Sequence, residues 1–306
     1  MSRLVTRSDF DGLACAMMLK ELNMIDEIKF VHPKDVQDGK IELFETDITT
    51  NLPYDPRVGL AFDHHESEID RLKAIETNGK LIIDANAKSA ARVVYDYFGG
   101  KEKFPRISKE LMKAVDKGDS ADFSLDEILN PSGWTLLHFI MDARTGLGRF
   151  HDFRISNYDL MMKLIDYCLE HTIDEILELP DVKERTVLYF EQADLFKEQL
   201  MRTTKIHENI AVIDLRNEEI IYAGNRFMVY ALFPEVHTSV HVAWGFKKQN
   251  TAVMIGKSIL NKTSIVDIGD ICLEYGGGGH ENAGTCQLDN DKIDEILPEI
   301  IDKLKG

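Results

Sequence analysis

The sequence has few cysteines, no long apolar run and a shortage of basic residues. Its four cysteines, Cys15, Cys168, Cys272 and Cys286, form no CxxC pair, which argues against a zinc ribbon or a disulfide framework and favours a reducing compartment. No stretch approaches the roughly 18 consecutive apolar residues of a membrane helix, and the first residues lack the apolar core of a signal peptide. We therefore expect a cytoplasmic protein with no membrane partner.

The balance of charge limits the partners that the chain can have. Lysine and arginine total 36 against 53 aspartates and glutamates, so the formal net charge is −17. Duplex nucleic acid is bound by a basic face, and we expect no such partner here. A small phosphorylated substrate is compatible with this charge, because a metal ion can supply positive charge locally.

The length of 306 residues, 44% of them hydrophobic, predicts two domains. The first part alternates short apolar runs with amphipathic stretches, as α/β domains do. The predicted strands of this part are Arg3–Thr6, Ile41–Phe44 and Val58–Phe62, with further short apolar runs at Ile28–Val31 and Leu81–Ile83. The predicted helices are Leu13–Leu22, Ser89–Tyr97 and 107–118. A helical stretch over 155–205 follows, broken at Pro180. Short strands then return at Ile210–Leu215, Glu219–Ala223, Ser239–Phe246, Ala252–Ile255 and Thr285–Leu288, with helices over Ile265–Tyr275 and Lys292–Leu304.

Three aspartates each follow a predicted strand: Asp9, Asp47 and Asp63. Because the carboxyl ends of parallel strands meet at one edge of a sheet, these side chains are expected to converge on one site. Asp9 belongs to an Asp-Phe-Asp-Gly turn with Asp11, which on its own is a weak signal, because an ordinary helix N-cap turn has the same pattern. Asp63 is followed by His64 and His65, for which a solvated turn is the alternative. Read together, they predict a metal centre.

The ligand types predict the metal. Several carboxylates with one or two imidazoles suit Mn²⁺, with Mg²⁺ as the alternative, better than thiolate-rich tetrahedral zinc. One or two ions per chain are expected. A pair of ions about 3.5–4 Å apart can clamp a phosphoryl group and generate hydroxide at neutral pH.

A run of four glycines over 276–279 precedes His280. Successive glycines expose backbone N–H groups, which can form an anion-binding nest. A flexible linker is also rich in glycine, but it does not normally end at one histidine between a helix and a strand. We therefore predict that this segment binds a phosphate, with His280 as a hydrogen-bond donor.

The DxD turn, a lone aspartate at a strand end, the Asp-His-His triplet and the distal GGGGH with Asn282-Ala283-Gly284 resemble the DHH–DHHA1 phosphoesterases. The resemblance extends from Asp9 to Gly284. It implies an α/β fold: a DHH catalytic domain with a mainly parallel sheet over 1–180, a helical linker over 181–208, and a smaller α/β DHHA1 substrate-binding domain over 209–306. In this family the active site occupies the cleft between the domains and usually uses Mn²⁺.

The resemblance also implies roles for individual residues. Asp63 would position the histidines, and His65 would face the substrate phosphate and protonate the leaving oxygen. Asp47 would bridge two ions, and Asp119 competes with Asp116 for one position. The implied metal ligands are Asp9, Asp11, Asp47, His64 and Asp116. The implied substrate-binding residues of the glycine segment are Gly277, Gly278, Gly279 and His280.

The sequence departs from the family pattern in two places. The family usually has a metal-ligating histidine just ahead of the DxD, where this chain has Arg7, which cannot ligate a metal. Either the first metal site is weak or empty, or Arg7 supplies positive charge in its place. Many relatives also carry an arginine in the segment matching 257–260, and here Lys257, Ser258 or Arg226 would compensate.

Three functions follow as hypotheses. The first is a metal-dependent phosphoesterase acting on short oligonucleotides or on small cyclic or bis-phosphorylated nucleotides. The second is an exopolyphosphatase-like hydrolase of short polyphosphates. The third is a non-catalytic nucleotide-binding sensor, suggested by Arg7 in place of the expected histidine. A homodimer paired through the helical connector is compatible with each of them.

Overall fold

The structure is a computed structural model that describes residues 2–65, 68–69, 77, 79–150 and 152–305. The chain forms two compact units. The first comprises Met1–Asp122, Ser132–Ala143 and Leu147–Val187, and the second comprises Phe123–Pro131, Arg144–Gly146 and Leu188–Gly306. Each unit contains one sheet. Among the described helices, none combines the length and apolarity that crossing a bilayer requires.

The first unit is built on a five-stranded sheet in which every described pairing is parallel, in the order β2-β1-β3-β4-β5. This confirms the predicted parallel sheet. The order of the strands reverses between β1 and β3, and ligands of open α/β sheets bind outside the carboxyl ends of the strands at such a point. The strands are β1 Arg3–Arg7, β2 Glu27–Val31, β3 Asp47–Thr50, β4 Leu60–Asp63 and β5 Leu81–Ile83.

Most of the described helices before residue 180 have a polar side chain at the N-cap. Asp9, Ser89 and Ser108 each accept a hydrogen bond from a backbone N–H of the first turn that follows, as N-caps do. The helices are α1 Phe10–Glu21, α2 Pro33–Gln37, α3 Ala90–Tyr97, α4 Lys109–Asp119, α5 Leu125–Leu129, α6 Gly133–Met141, α7 Asn157–Glu170, α8 Ile173–Glu178 and α9 Pro180–Thr203. Short 3₁₀ turns lie at Gly100–Glu102, Ala143–Thr145 and Leu147–Arg149.

Helix α1 lies at the centre of the first unit. All ten residues from Phe10 to Leu19 are buried, so the helix has no polar face over this stretch. A helix that is apolar all round is a core helix. The consequence for function is that Asp11, in its first turn, is carried into the interior together with its apolar neighbours.

The predicted strand over Ile41–Phe44 is wrong, although all four residues are described. The backbone turns instead, because the Phe44 N–H donates to Oδ2 of Asp47 at 2.9 Å and Leu43 packs into a buried apolar cluster. The strand is β3, where Ile48 and the two following threonines supply β-branched side chains. Asp47 is therefore the first residue of β3, whereas the sequence predicted that it would follow a strand.

The second unit contains a six-stranded sheet in the order β10-β11-β9-β8-β7-β6, in which β7 and β8 pair parallel and the other pairs are antiparallel. Helices α11 and α12 cover its apolar face. The remaining elements are β6 Thr204–His207, β7 Ile210–Asp214, α10 Met228–Leu232, β8 Thr238–Trp244, a 3₁₀ turn Phe246–Lys248, β9 Thr251–Lys257, α11 Ile268–Glu274, β10 Gly278–His280, β11 Ala283–Leu288 and α12 Ile293–Leu304.

The predicted strand over Glu219–Ala223 is also wrong for these described residues. The Tyr222 N–H donates to Oε1 of Gln199 at 3.1 Å, and the Ala223 N–H donates to Oε1 of Gln192 at 2.7 Å. Two glutamine side chains of α9 thus accept the hydrogen bonds that a neighbouring strand would otherwise accept, and the segment is held along the helix.

The last two glycines of the run open the edge strand β10, Gly278–His280. A Cβ on Gly279 would lie 2.3 Å from the carbonyl oxygen of Ala283, and one on Gly277 would lie 2.2 Å from that of Thr285. A Cβ on Gly278 would meet no described atom within 4 Å. Two of the glycines are therefore required for the close approach of β10 to β11, whatever else the segment does.

Gly279→Ala is expected to destabilise the protein by about 1–3 kcal/mol, because the added methyl group overlaps a backbone carbonyl that cannot move aside cheaply. Gly278→Ala is the matched control and should change stability by less than about 1 kcal/mol. Urea unfolding of both variants measures this. Equal losses of stability would contradict the role assigned to Gly279.

Candidate metal centre

The turn between β1 and α1 places two carboxylates at the carboxyl edge of the parallel sheet. Oδ1 of Asp9 accepts the Gly12 N–H at 2.9 Å and caps the helix. A Cβ on Gly12 would lie 2.1 Å from the carbonyl oxygen of Arg7, so glycine is needed for the helix to begin this close to the strand. Asp11 follows within the first helical turn and is 2% exposed.

Asp11, His64 and Asp119 form the centre of the site. One ligand atom from each of the three lies within 4.8 Å of the other two. They come from three separate elements: the first turn of α1, the residue after β4, and the last residue of α4. We refer to these three residues as the triad. Two carboxylate oxygens and one imidazole nitrogen are suitable donors for Mn²⁺ or Mg²⁺.

The Asp11 carboxylate is held by backbone N–H groups at the start of α3. Its oxygens accept from Ala90 at 3.0 Å and from Ala91 at 2.7 Å, where the helix dipole also favours a negative charge. Nevertheless, burial raises the pKa of Asp11 well above its usual value, and the nearby Asp119 and Asp9 carboxylates raise it further. A cation bound here would offset this repulsion.

His64 is oriented by the backbone. Its Nδ1 lies 3.2 Å from the carbonyl oxygen of Ala87, which fixes Nδ1 as a donor and leaves Nε2 to the triad, as second-sphere bonds do for metal-binding histidines. Nε2 lies 2.9 Å from Oδ2 of Asp119. Burial lowers the pKa of His64, but Asp119 outweighs burial and the pKa rises to about 9. Burial would raise the pKa of Asp119, but the contact with His64 lowers it.

Asp63 and His65 lie beside the triad. Oδ1 of Asp63 accepts from the His64 backbone N–H at 2.9 Å and lies 2.7 Å from Nδ1 of His65. Asp63 is 2% exposed, whereas the His65 side chain is 37% exposed. A carboxylate that holds Nδ1 of a partly exposed histidine leaves Nε2 able to exchange a proton with a substrate.

Three expected ligands lie outside the triad. Asp9 is one of them, and its Oδ2 lies 3.1 Å from Nε of Arg7. Asp47 lies at the amino end of β3, at the other edge of the sheet, where its Oδ2 is 2.7 Å from Nη2 of Arg3. The expectation that it bridges two ions at the carboxyl edge is therefore wrong. Asp116 is 2.6 Å from Nη2 of Arg92. Asp119, weighed as its competitor, replaces it in the ligand set that we propose.

Asn51 is the residue that the sequence reasoning missed. It directly follows β3, and its N–H donates to the carbonyl oxygen of Phe62 at 3.1 Å, which places it between the ends of β1 and β4. Its side chain is 1% exposed, and neither its amide nitrogen nor its oxygen has a partner among the described residues. Its φ of 54° suits asparagine. The sequence signal that could have revealed Asn51 is the β-branched run Ile48–Thr50 before it, which predicts a strand that ends at Asn51.

The remaining predicted residues belong to the second unit. Lys257 ends β9 and pairs with Glu281 at 2.9 Å, and Oγ of Ser258 accepts from two backbone N–H groups of the following turn. Arg226 lies 4.2 Å from the ring centroid of Phe227. Nδ1 of His280 accepts the Asn282 N–H at 3.3 Å. Gly278, Gly279 and His280 are exposed, and Gly277 is half-buried.

Comparison with solved structures decides the family. A pGpG-specific phosphodiesterase from Vibrio cholerae shares 52% identity with the chain over 100% of the chain and 99% of that protein, with a TM-score of 0.84. The chain belongs to the DHH–DHHA1 phosphoesterase family. An exopolyphosphatase-related protein from Bacteroides fragilis gives a TM-score of 0.52 at 14% identity, over 100% of the chain and 94% of that protein, which shows the fold alone. No family model and no curated protein matches the chain.

Membership of the DHH–DHHA1 family confirms the predicted class of chemistry. The chain is a phosphoesterase, and thus a hydrolase, and its substrate is a small phosphorylated molecule. The DHH motif itself is the segment Asp63-His64-His65, at the carboxyl end of β4. The metal centre of the family corresponds in this chain to a group of residues that can hold an ion.

The ion pair of His64 and Asp119 makes the stability of the metal-free DHH protein depend on pH. The folded pKa of His64 is about 9 against an ordinary 6.5. Its contribution is therefore complete below pH 6.5 and is lost as the pH rises through about 9. With a chelator present, the wild type is expected to lose about 1–2 kcal/mol more than His64→Gln between pH 6.5 and 9.5. Thermal unfolding followed by circular dichroism measures it, and equal losses would contradict the pair.

Proposed function

We propose that the chain is a metal-dependent phosphodiesterase that hydrolyses short linear dinucleotides such as pGpG, with Mn²⁺ as the cofactor. The observation that carries this proposal is the triad of Asp11, His64 and Asp119 next to the Asp63–His65 pair. The name of the Vibrio cholerae relative, with 52% identity over the full chain, supports pGpG as the substrate to test first.

The residues of the first unit divide the chemistry between them. Asp11, His64 and Asp119 would hold a divalent ion, which would polarise a phosphate oxygen and lower the pKa of a bound water molecule. Asp63 holds His65 by Nδ1, so that Nε2 can pass a proton to the leaving oxygen. His64 directs Nε2 to the ion because Ala87 accepts from its Nδ1. Asp11 keeps its place through the N–H groups of α3.

The second unit supplies substrate-binding groups in this proposal. As an edge strand, β10 pairs only with β11 within the described sheet, and an outward N–H group of Gly278 or Gly279 can bind a phosphate that does not react. The Gly277 N–H donates to the carbonyl oxygen of Cys272 at 2.8 Å, so Gly277 contributes by allowing the close approach of the segment to β11. Nδ1 of His280 accepts from Asn282, so in the neutral ring Nε2 carries the proton and can donate it to the same phosphate. Arg226, Lys257 and Ser258 stay candidates for contacts with the rest of the substrate.

The choice between Asp119 and Asp116 gives a matched test of the catalytic site. Asp119→Asn should lower kcat for Mn²⁺-dependent hydrolysis of pGpG by about 100-fold or more, because it removes a charged ligand. Asp116→Asn removes an ion pair with Arg92 instead and should cost less than about 10-fold. Product formation is followed by chromatography. The opposite order of the two effects would show that the ligand is Asp116.

Hydrolysis also separates the enzyme from a sensor. A wild-type protein that binds Mn²⁺ and pGpG without releasing GMP would sink the proposed activity. A panel of pAp, short oligonucleotides and polyphosphates, assayed under the same conditions, tests the other substrates that the sequence allows.

The role of His280 is tested by its kinetic signature. His280→Ala should raise KM for pGpG by about 10-fold and change kcat little, because it removes a contact that is the same in the ground state and the transition state. Urea unfolding of His280→Ala, compared with the wild type, controls for the integrity of β10. A loss confined to kcat would contradict the proposed contact.

A further inference from the structure

Three of the acidic residues expected to bind metal ions are each paired with an arginine. All three lie outside the triad, and all three pairs join side chains of the first unit. The three pairs are Arg7 Nε with Asp9 Oδ2 at 3.1 Å, Arg3 Nη2 with Asp47 Oδ2 at 2.7 Å, and Arg92 Nη2 with Asp116 Oδ2 at 2.6 Å. No such arginine pair is recorded for Asp11 or Asp119 in the described part of the chain.

An arginine partner changes what a carboxylate can do. A guanidinium stays protonated in proteins and has no lone pair to offer a metal. It neutralises the carboxylate that it binds, and it repels a cation brought to the same place. Asp9 is thus a poor ligand as long as Arg7 holds it, although it lies only two residues from Asp11.

The charge of the triad matches one divalent ion. Asp11 and Asp119 contribute two negative charges when ionised, and His64 contributes none when it binds a metal. Asp63, the next carboxylate, holds the His64 backbone and the His65 ring through Oδ1, while its buried Oδ2 has no partner among the described residues. Asp63, His64 and His65 also lie close enough to one another to hold an ion, but this group shares His64 with the triad and has only one carboxylate. A second divalent ion would therefore require a further carboxylate at the carboxyl edge of the sheet.

Asn51 lies at the carboxyl edge of the sheet, directly after β3, where a further carboxylate could have been placed. It follows β3 at the point where the strand order reverses, next to the ends of β1 and β4. Its buried carboxamide has no partner among the described residues, and leaving an amide unpaired in the interior costs stability. An amide oxygen can contact an ion or the water that it carries, but it adds no negative charge.

Arg7 is placed to act on the substrate. It ends β1 one register position beyond the Thr6–Thr50 pair, so it lies beside Asn51 at the same edge. Its side chain is 31% exposed. Its Nε lies 3.1 Å from Oδ2 of Asp9, two residues before Asp11 of the triad. A guanidinium so held is a suitable partner for phosphate oxygens.

We propose that this site takes one divalent cation, held by Asp11, His64 and Asp119 beside the carboxamide of Asn51, and that Arg7 supplies the second positive charge to the substrate phosphate. The number of ions follows from the residues alone. The part played by Arg7 towards a phosphate rests on the proposed function.

The number of bound ions is measured by a metal titration that does not require catalytic activity. Protein stripped with a chelator is titrated with Mn²⁺, and free Mn²⁺ is followed by its electron paramagnetic resonance signal. One tightly bound ion per chain is expected. Two ions of similar affinity, or none, would overturn the proposal. A protein that binds one ion but does not hydrolyse pGpG would contradict the proposed function and leave the count intact.

Two variants test whether Arg7 and Asn51 limit the number of bound Mn²⁺ ions to one per chain. Arg7→His with Asn51→Asp supplies an imidazole and a carboxylate and releases Asp9, so the number of bound Mn²⁺ should rise from one to two. Arg7→Lys keeps the positive charge, adds no ligand and should stay at one. A folded double variant that still binds one ion would overturn the role given to Arg7 and Asn51. If the double variant fails to fold, the count of the wild type and of Arg7→Lys decides.

The contact of Arg7 with phosphate is tested in the absence of metal. With a chelator present, pGpG binding is measured by calorimetry for the wild type, Arg7→Gln and Arg7→Lys. Arg7→Gln should weaken binding by about 10-fold or more, and Arg7→Lys should restore part of it, since it keeps the charge but loses the fork of donors. Unchanged binding by Arg7→Gln would overturn this part of the proposal.

Discussion

The burial of the Asp11 carboxylate is the constraint on which the rest of the site depends. A charged group that is 2% exposed must be compensated, because an isolated buried charge is costly. Two N–H groups of α3 compensate it in part, but Asp119 adds a like charge nearby. In the metal-free protein, the protonated His64 reduces the electrostatic repulsion between the Asp11 and Asp119 carboxylates. A divalent ion relieves it more completely, and its binding must displace that proton.

The fold makes this arrangement possible by collecting side chains that are distant in sequence. The parallel order of the strands brings the ends of β1, β3 and β4 to one edge. Helix α1 is buried over ten residues, so its first turn is held as firmly as the core. Gly12 lets that helix begin directly over the end of the strand. The positions of the carboxylates of the site thus depend on the apolar packing of α1 and on glycine at position 12.

The parts of the site whose position in the fold can be predicted from the sequence are those that depend on local pattern. The DHH segment follows an apolar strand, and the DxD turn precedes an apolar helix, so both could be placed without tertiary information. The position of Asp47 could not be predicted in this way, because the apolar run before it resembles a strand. Leu43 of this run is instead buried in an apolar cluster, and Asp47 accepts the Phe44 N–H in a turn. Asn51 carries no charge and looks like an ordinary turn residue until its burial is known.

Partners, more than spacing, distinguish a structural acid from a metal ligand. Asp116 and Asp119 are three residues apart on α4, on neighbouring parts of its surface, and periodicity alone cannot choose between them. The structure shows that one meets Arg92 and the other meets His64. The same criterion applies to Asp9 and Asp47, each of which meets an arginine. An acid neutralised by a permanent cation contributes to the fold, whereas an acid opposite a histidine, whose proton can be displaced, can exchange that proton for a metal.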